Sequence, residues 1–268
     1  MQLQVALVNA ASVLASPSDK GAMWRRAGAA AERAVALAPD LADARCARGF
    51  FRKLSAEWDG ARADLERAIA LDPGYVKARG AHAVLLATLG RLDEAILEMK
   101  GALERDPLDR WAWTGIAFMY IAQGRADLAR GAAQHAIEID PASEFTVCTD
   151  AYVSLAERRP AQALAAAARL DDRDTCKYSI IAMAEHDLGH ARASQEALDG
   201  LRARVAEDGR WLAAPVHAWR GEREEAFEIL AKLPPDELTE LKVDPALLKL
   251  RGDPRYGALL ERARLPHN

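Results

Sequence analysis

The sequence has few aromatic residues, no long apolar run and no block of basic residues. Aromatic residues make up only 6% of the 268 residues, whereas half of the residues are hydrophobic and alanine is abundant. This composition favours closely packed helices over a β-sandwich. No stretch approaches the roughly 18 apolar residues of a membrane-spanning helix, and the apolar start, residues 1–16, lacks the basic region of a signal peptide. We expect a soluble chain that does not insert into a membrane.

Charge and cysteine content further limit the kinds of partner and the compartment that we expect. The formal net charge is −4, and acidic and basic residues are interspersed. Because no cluster of Lys and Arg could follow a phosphate backbone, we expect no nucleic-acid partner. The sequence has three widely spaced cysteines, Cys46, Cys148 and Cys176. An odd number at such spacing does not indicate a disulfide framework and favours a reducing compartment. We predict a cytoplasmic protein, or a periplasmic one if the chain belongs to a membrane-anchored regulator.

Prolines and small residues recur at a fixed interval. Four prolines are each 34 residues apart: Pro39, Pro73, Pro107 and Pro141. If each proline is numbered position 32 of a repeat, small residues recur at three other positions. Position 8 holds Gly49, Ala83 and Ala117, and position 15 holds Gly90 and Gly124. Position 20 holds Ala61, Ala95 and Ala129. Position 27 is alanine in the same three repeats: Ala68, Ala102 and Ala136. Agreement at this many positions indicates a structural repeat.

Each of these recurring small residues and prolines is suited to a repeat made of two packed helices. Small residues at positions 8 and 20 let the first helix (helix A) cross the second (helix B) closely. Glycine at position 15 can adopt the left-handed conformation that ends helix A, and proline at position 32 cannot continue helix B. A period of 34 with this pattern is typical of tetratricopeptide repeats, which the chain resembles. We therefore predict an all-α fold, an α-solenoid of stacked antiparallel helix pairs in a right-handed superhelix, with about seven repeats plus C-terminal capping helices.

The repeats become less regular toward both ends of the chain. We predict one domain over residues 1–268: a degenerate first repeat (1–41), three regular 34-residue repeats (42–143), three shorter divergent repeats (144–235) and C-terminal capping helices (236–268). Pro160 is placed to open a helix B, and Pro215 to kink or delay the last helix A. The steps Asp244-Pro245 and Asp253-Pro254 should each start a short helix, because Asp is a good N-cap and Pro suits the first helical position.

Two stretches resemble one bacterial group of these repeats. They are Glu57–Leu108 and the ending "LKVDPALLKLRGDPRYGALLERARLP". Both are similar to the C-terminal repeat region of certain signalling proteins. In those proteins the repeat region follows a class III adenylate cyclase, a CadC-like winged-helix domain or a Ser/Thr kinase, often with a TolB-like segment between the two. The resemblance implies a regulatory or sensor segment that contacts a neighbouring domain, and no such output domain is present in this sequence.

Candidate catalytic and metal-binding residues are few. His186 and His190 have the spacing of two metal ligands on one helix face, but Gly189 falls at the turn position between them. The acidic run Asp171–Asp174 lacks the spacing and glycine of an EF-hand and is interpreted as a solvated loop. None of the cysteines has an evident basic partner. We predict a non-enzymatic protein with no cofactor and no metal.

The predicted ligand-binding surface is the concave face that helices A line in the repeat family the chain resembles. The register places there Phe50, Val84, Trp111, Phe118, Phe145, Tyr152, Met183 and Trp211. Exposed rings would bind an apolar peptide or helix of a protein partner. Alternatively, the rings fill the core between the helices. Two functions remain open: a protein–protein interaction scaffold, and the regulatory segment of a signalling protein.

Overall fold

The structure, a computed structural model, describes residues 17–205 and 211–267. These residues form α-helices and two 3₁₀ helices and include no strand. The α-helices are α1 (Pro17–Leu37), α2 (Ala42–Leu54), α3 (Trp58–Leu71), α4 (Val76–Thr88), α5 (Leu92–Leu103), α6 (Arg110–Ala122), α7 (Ala126–Ile139), α8 (Glu144–Ala156), α9 (Pro160–Ala167), α10 (Thr175–Asp187), α11 (Ala191–Arg204), α12 (Ala213–Arg220), α13 (Arg223–Lys232) and α14 (Pro254–Arg262). The 3₁₀ helices are Pro235–Glu240 and Leu247–Leu250. The predicted all-α fold of successive helix pairs is confirmed. Most of the predicted first helix A, in residues 1–16, lies outside the described residues.

The chain divides into two compact units, residues 1–85 and 86–268. In the first unit, α1 packs on α2, and α2 packs on α3 as helices A and B of one repeat. A Cβ atom on Gly49 would lie 2.8 Å from Cγ of Leu65 and 3.1 Å from the carbonyl oxygen of Ala61. The close helix crossing predicted from the small residues at positions 8 and 20 is therefore present.

A buried carboxylate joins these two helices. Asp64 of α3 is 1% exposed and accepts hydrogen bonds from three arginines of α2, at 2.6 Å from Arg48, 2.8 Å from Arg52 and 3.0 Å from Arg45. Burial alone would raise the pKa of Asp64, but the hydrogen bonds from Arg48 and Arg45 outweigh it and lower that pKa. A charged network thus holds this helix pair together in addition to the apolar contacts.

In the second unit, each helix B packs on its own helix A and successive helices A pack side by side. The pairs are α6 with α7, α8 with α9, α10 with α11 and α12 with α13, while α6 packs on α8, α8 on α10 and α10 on α12. The turns between helices A and B contain the predicted glycines Gly90, Gly124 and Gly189, with φ angles of 81°, 73° and 79°, and the turn after α12 contains Gly221, with a φ angle of 80°. The turn position predicted from the 34-residue period is confirmed.

The divergent repeats differ from the regular ones where their prolines fall. Pro160 occupies the first turn of α9, which is only 8 residues long, and α12, which contains Pro215, is equally short and begins at Ala213. After α13, Asp253 caps α14 by accepting a hydrogen bond from the Arg255 amide. The guanidinium of Arg255 lies 4.2 Å from the ring centroid of Phe227, so α14 packs on α13. Within the described residues, no helix is both long and apolar enough to cross a membrane.

Candidate interaction surface

Two aromatic rings stand exposed on successive helices A of the second unit. Trp111 in the first turn of α6 is 46% exposed, and Phe145 in the first turn of α8 is 68% exposed. Leu108, in the turn before α6, is 72% exposed. The guanidinium of Arg110 lies 5.9 Å from the ring centroid of Phe145, which brings the start of α6 next to that ring. We call Leu108, Trp111 and Phe145 the apolar patch.

The rings about two turns farther along the same helices point into the protein. Phe118 and Tyr152 meet edge to face, with ring centroids 5.4 Å apart, and both are half-buried. Tyr152 packs against a buried cluster that contains Ile180 and Met183. Met183 is fully buried and therefore belongs to the core, which corrects its predicted place on an open face. At position 9 the core-filling alternative thus holds for Met183, whereas Phe118 and Tyr152 are half-buried and their part in ligand binding stays a prediction.

The carboxyl-terminal part of the chain covers much of the remaining face. Residues 238–250, which we call the C-terminal strap, begin in the last residues of the first 3₁₀ helix and include the second. Its Lys242 reaches the turn at Gly90, where a Cβ atom on the glycine would lie 2.5 Å from Cε of the lysine. Farther along the strap, Ala246 is fully buried in the cluster that contains Met183 and Val216.

Trp211 also packs against the strap instead of standing open. It is half-buried and, with Pro215 and Leu230, faces Leu241 and Leu247 across a cavity of about 10 Å³. The strap thus covers part of Trp211, and the predicted role of this ring in ligand binding stays a prediction. At the end of the strap, Nζ of Lys249 lies 3.5 Å from the ring centroid of Trp219 in α12.

The strap places a carboxylate beside Tyr152. Asp244 accepts hydrogen bonds from the amides of Ala246 (2.8 Å) and Leu247 (3.0 Å). A short helix follows the Asp-Pro step, as predicted, but it begins at Leu247 and not at Pro245. Burial raises the pKa of Asp244 to about 6, against the effect of these two amides and with a further contribution from Glu240. Burial and the nearby charge of Asp244 also raise the pKa of Tyr152.

Two of the three cysteines form a disulfide, which the sequence analysis did not anticipate. Cys148 of α8 and Cys176 of α10 are bonded, with Cα atoms 6.3 Å apart. The interpretation of these cysteines as unpaired was wrong, because residues 28 apart in sequence become neighbours when successive helices A pack side by side. Cys46, in the first unit, is a buried free thiol, and burial raises its pKa to about 11. A thiol of that pKa is a poor nucleophile at neutral pH.

The other predicted residues of the face lie in the first unit. Phe50 is 38% exposed and meets Phe51 edge to face, with centroids 5.8 Å apart. Val84 is half-buried. Each belongs to a helix A, as the register predicted.

The candidate metal ligands have local partners. α10 ends at Asp187, Gly189 forms the turn, and His190 caps α11, so His186 and His190 lie on different helices, as the register predicted. Nδ1 of His190 lies 2.7 Å from a carboxylate oxygen of Glu185. In the acidic loop, Asp171 accepts from Arg173, Asp172 from Lys177 and Asp174 from the Cys176 amide. Each of these carboxylates therefore already has a donor within its own loop or the following helix.

Comparisons with known proteins agree with the repeat interpretation. A family model described as a tetratricopeptide repeat matches residues 55–112, and a search of curated protein sequences gave no match. The chain is similar to a solved tetratricopeptide repeat protein from Parabacteroides merdae, with a TM-score of 0.65, 13% identity, and coverage of 98% of this chain and 100% of that one. It is also similar to PilW, a type IV pilus biogenesis factor, with a TM-score of 0.63, 18% identity, and coverage of 77% and 95%.

A third similar structure is a chain of the APC/C hetero-tetramer Cut9-Hcn1, with a TM-score of 0.64 and 16% identity over 90% of this chain. This chain spans 46% of the length of that protein. At these identities, the similarity concerns the fold alone. Tetratricopeptide folds generally mediate contacts between proteins, through the extended surfaces that stacked repeats create. The family match and the solved structures together support a tetratricopeptide-repeat fold for this chain.

Proposed function

We propose that this chain is a non-catalytic interaction module that binds an apolar helix or peptide segment of a protein partner at the apolar patch. The observation that supports the proposal is the exposure of Trp111 and Phe145 at the same position of successive helices A. Large exposed rings grouped on a rigid scaffold are typical of binding surfaces. Aromatic side chains are also enriched among the residues that contribute most to binding free energy.

The spacing of the two rings suits a helical partner. Packed helices have axes about 8–10 Å apart, so equivalent residues of α6 and α8 are separated by about that distance. Two turns of an α-helix advance about 11 Å, so apolar side chains seven residues apart on a partner helix could contact both rings. The partner that fits best is therefore an amphipathic helix with such a pair.

Charge near the patch adds one further preference. Nε of Arg110 lies 3.8 Å from Asp140, and its buried Nη1 has no hydrogen-bond acceptor among the described residues. The Arg110 side chain as a whole is 28% exposed, so a carboxylate of the partner placed beside the ring of Phe145 would approach the exposed part of the guanidinium, and a charge-assisted hydrogen bond is roughly twice as strong as a neutral one. We propose a partner segment that combines the apolar pair with an acidic residue.

The proposal is tested by selecting peptides from a random library on the full-length protein. We expect selected peptides to share apolar residues at helical spacing and to lose binding to Trp111→Ala and Phe145→Ala. Leu97→Ala is the matched control, because Leu97 of α5 is 71% exposed and lies outside the patch. Selected peptides that bind all three variants as well as the wild type would contradict the proposal.

The second candidate function is the regulatory segment of a longer signalling protein. The stretch Glu57–Leu108 that resembles such proteins overlaps the residues matched by the repeat family, 55–112. In that case the patch would bind a neighbouring domain of the same polypeptide. Sequencing the genomic reading frame on both sides of this chain tests it, because an in-frame cyclase, kinase or winged-helix domain is then expected.

The compartment forms part of the proposal. The Cys148–Cys176 disulfide favours an oxidising environment, since cytosolic thiols are kept reduced. We therefore propose the periplasmic alternative rather than the cytoplasmic one. Fractionation of cells that express the tagged chain tests this assignment, and recovery of the chain with cytoplasmic markers would contradict it.

A further inference from the structure

The Cys148–Cys176 disulfide lies on the same face of the helices A as the apolar patch. Trp111, Phe145 and Cys176 are each the second residue of their helix, in α6, α8 and α10, which pack side by side in that order. Cys148 follows Phe145 by three residues, and residues three apart in an α-helix are neighbours on its surface. The disulfide therefore continues the row of exposed rings onto the third helix.

The disulfide is nearer the surface than the rest of the contact between α8 and α10. Both cysteines are half-buried. Farther along, the two helices contribute to one buried cluster through side chains that are each at most 1% exposed, among them Ala151, Leu155, Ile180 and Ala184. Because these apolar contacts do not involve the cysteines, we expect α8 and α10 to remain packed on each other when the disulfide is reduced.

The disulfide links the first turns of α8 and α10, where buried hydroxyls bond within their own helices. Thr149 donates to the Phe145 carbonyl at 2.7 Å, and Ser179 donates to the Thr175 carbonyl at 3.1 Å. In these two fully described helices, no side-chain hydrogen bond or ion pair joins one helix to the other. Reduction would therefore free the first turn of α8, which carries Phe145, from the first turn of α10.

We propose that formation of this disulfide switches on partner binding at the apolar patch, so that the chain binds its partner tightly only in an oxidising compartment. The inference rests on the proposed function, since the partner is the amphipathic helix that contacts Trp111 and Phe145. When the bond is formed, Phe145 has a fixed position and the bound helix extends onto the disulfide. When the bond is reduced, binding must first order the turn that carries Phe145, and this ordering lowers the affinity.

The bond forms by thiol–disulfide exchange, for which a small disulfide such as oxidised glutathione is the oxidant. The thiolate of one cysteine attacks a sulfur of the oxidant and displaces a glutathione thiolate. The thiolate of the other cysteine then attacks the protein sulfur of this mixed disulfide and displaces the second glutathione. Each glutathione thiolate takes up a proton that a cysteine has lost. Two protein thiols and one oxidised glutathione thus become one protein disulfide and two glutathione thiols.

The probe for the experiment is a cysteine-free peptide selected from the random library on the oxidised full-length protein. It is titrated against the oxidised wild type, the wild type reduced with dithiothreitol, and the variant Cys148→Ser/Cys176→Ser. We expect reduction to weaken binding at least about fivefold, the lower end of typical coupling between two sites, and the double variant to bind like the reduced wild type. Cys46→Ser is the matched control, because Cys46 is a buried free thiol in the first unit and its loss should leave the response to dithiothreitol unchanged.

Equal affinity of the folded oxidised and reduced proteins for the peptide overturns the switch and leaves the patch proposal intact. A library that yields no peptide dependent on Trp111 and Phe145 overturns both proposals. If the reduced protein does not fold, the rate at which dithiothreitol reduces the oxidised wild type decides, because this attack begins on the folded protein. A saturating amount of the peptide should slow the reduction at least about fivefold, since the bound helix covers the disulfide. An unchanged rate overturns the switch.

Discussion

Cys148 and Cys176 bond two successive helices A to each other, with Cα atoms 6.3 Å apart. A bond across 28 residues removes conformational freedom from the unfolded chain and typically contributes about 2–4 kcal/mol to stability. We predict that a reducing agent, or the double substitution Cys148→Ser/Cys176→Ser, lowers the melting temperature. Thermal melting with and without dithiothreitol measures the effect.

The double variant is also the control for this prediction, because its melting temperature should not respond to the reductant. Peptide mapping without reduction should recover the two cysteines in one cross-linked pair and Cys46 as a free thiol. Recovery of three free thiols from protein purified under oxidising conditions would show that the pairing is incorrect.

The Asp64 network should be essential to the first unit. Asp64→Asn removes the buried charge that three partly exposed arginines share. Because Arg48 and Arg52 keep their pairing with Glu32, the loss of these charge-assisted hydrogen bonds should cost about 2 kcal/mol of unfolding free energy. Because the pKa of Asp64 is lowered in the folded protein, its contribution is present above its unfolded pKa of about 3.9 and is lost as the pH falls through the folded value. Denaturant titration at neutral and acidic pH measures both effects.

Asp59→Asn is the matched control, since Asp59 is fully exposed and pairs with Arg62 of its own helix. Its unfolding transition should coincide with that of the wild type. Equal stability of the Asp64 and Asp59 variants would show that the network contributes little.

Asp244 should make the stability of the second unit depend on pH. Burial raises its folded pKa to about 6, so the folded protein binds this proton more tightly than the unfolded chain does. The protonated form is tolerated at low pH, and stability is lost as the pH rises through the unfolded and then the folded pKa. Asn keeps an oxygen that can accept from the Ala246 and Leu247 amides, so Asp244→Asn should match the wild type near about pH 4 and exceed its stability above about pH 6.

Melting temperatures of the wild type and Asp244→Asn across this range test the prediction. The difference between the two proteins is the relevant quantity, because other groups titrate equally in both. A constant difference at all pH values would mean that Asp244 does not titrate in this range.

The repeat period was enough to predict the helices and their turns. Gly124 illustrates why: a residue that ends helix A must adopt positive φ, and glycine does so at no steric cost. The Cys148–Cys176 bond was not predictable in the same way, because it depends on which helices A pack side by side and at what offset. The sequence register alone specifies neither.

The ligand face was predictable only in part. The repeat register places both Trp111 and Met183 on the ligand face of a helix A, yet Trp111 is 46% exposed and Met183 is fully buried. The difference arises partly because the C-terminal strap returns to cover the second residue and leaves the first open. The strap sequence has apolar spacing that suits a capping helix equally well, so nothing local in it specifies the surface on which it packs.

The central claim is that the open rings of the patch bind the partner. Truncating such an anchor typically costs about 2 kcal/mol, or roughly thirtyfold in affinity. Both rings are exposed, so their removal should leave the melting temperature unchanged.

The direct measurement is a fluorescence anisotropy titration of one library-selected peptide against the wild type, Trp111→Ala, Phe145→Ala and Leu97→Ala. We predict about thirtyfold weaker binding to each ring variant and unchanged binding to Leu97→Ala. Equal affinity of all four proteins for the peptide would contradict the account.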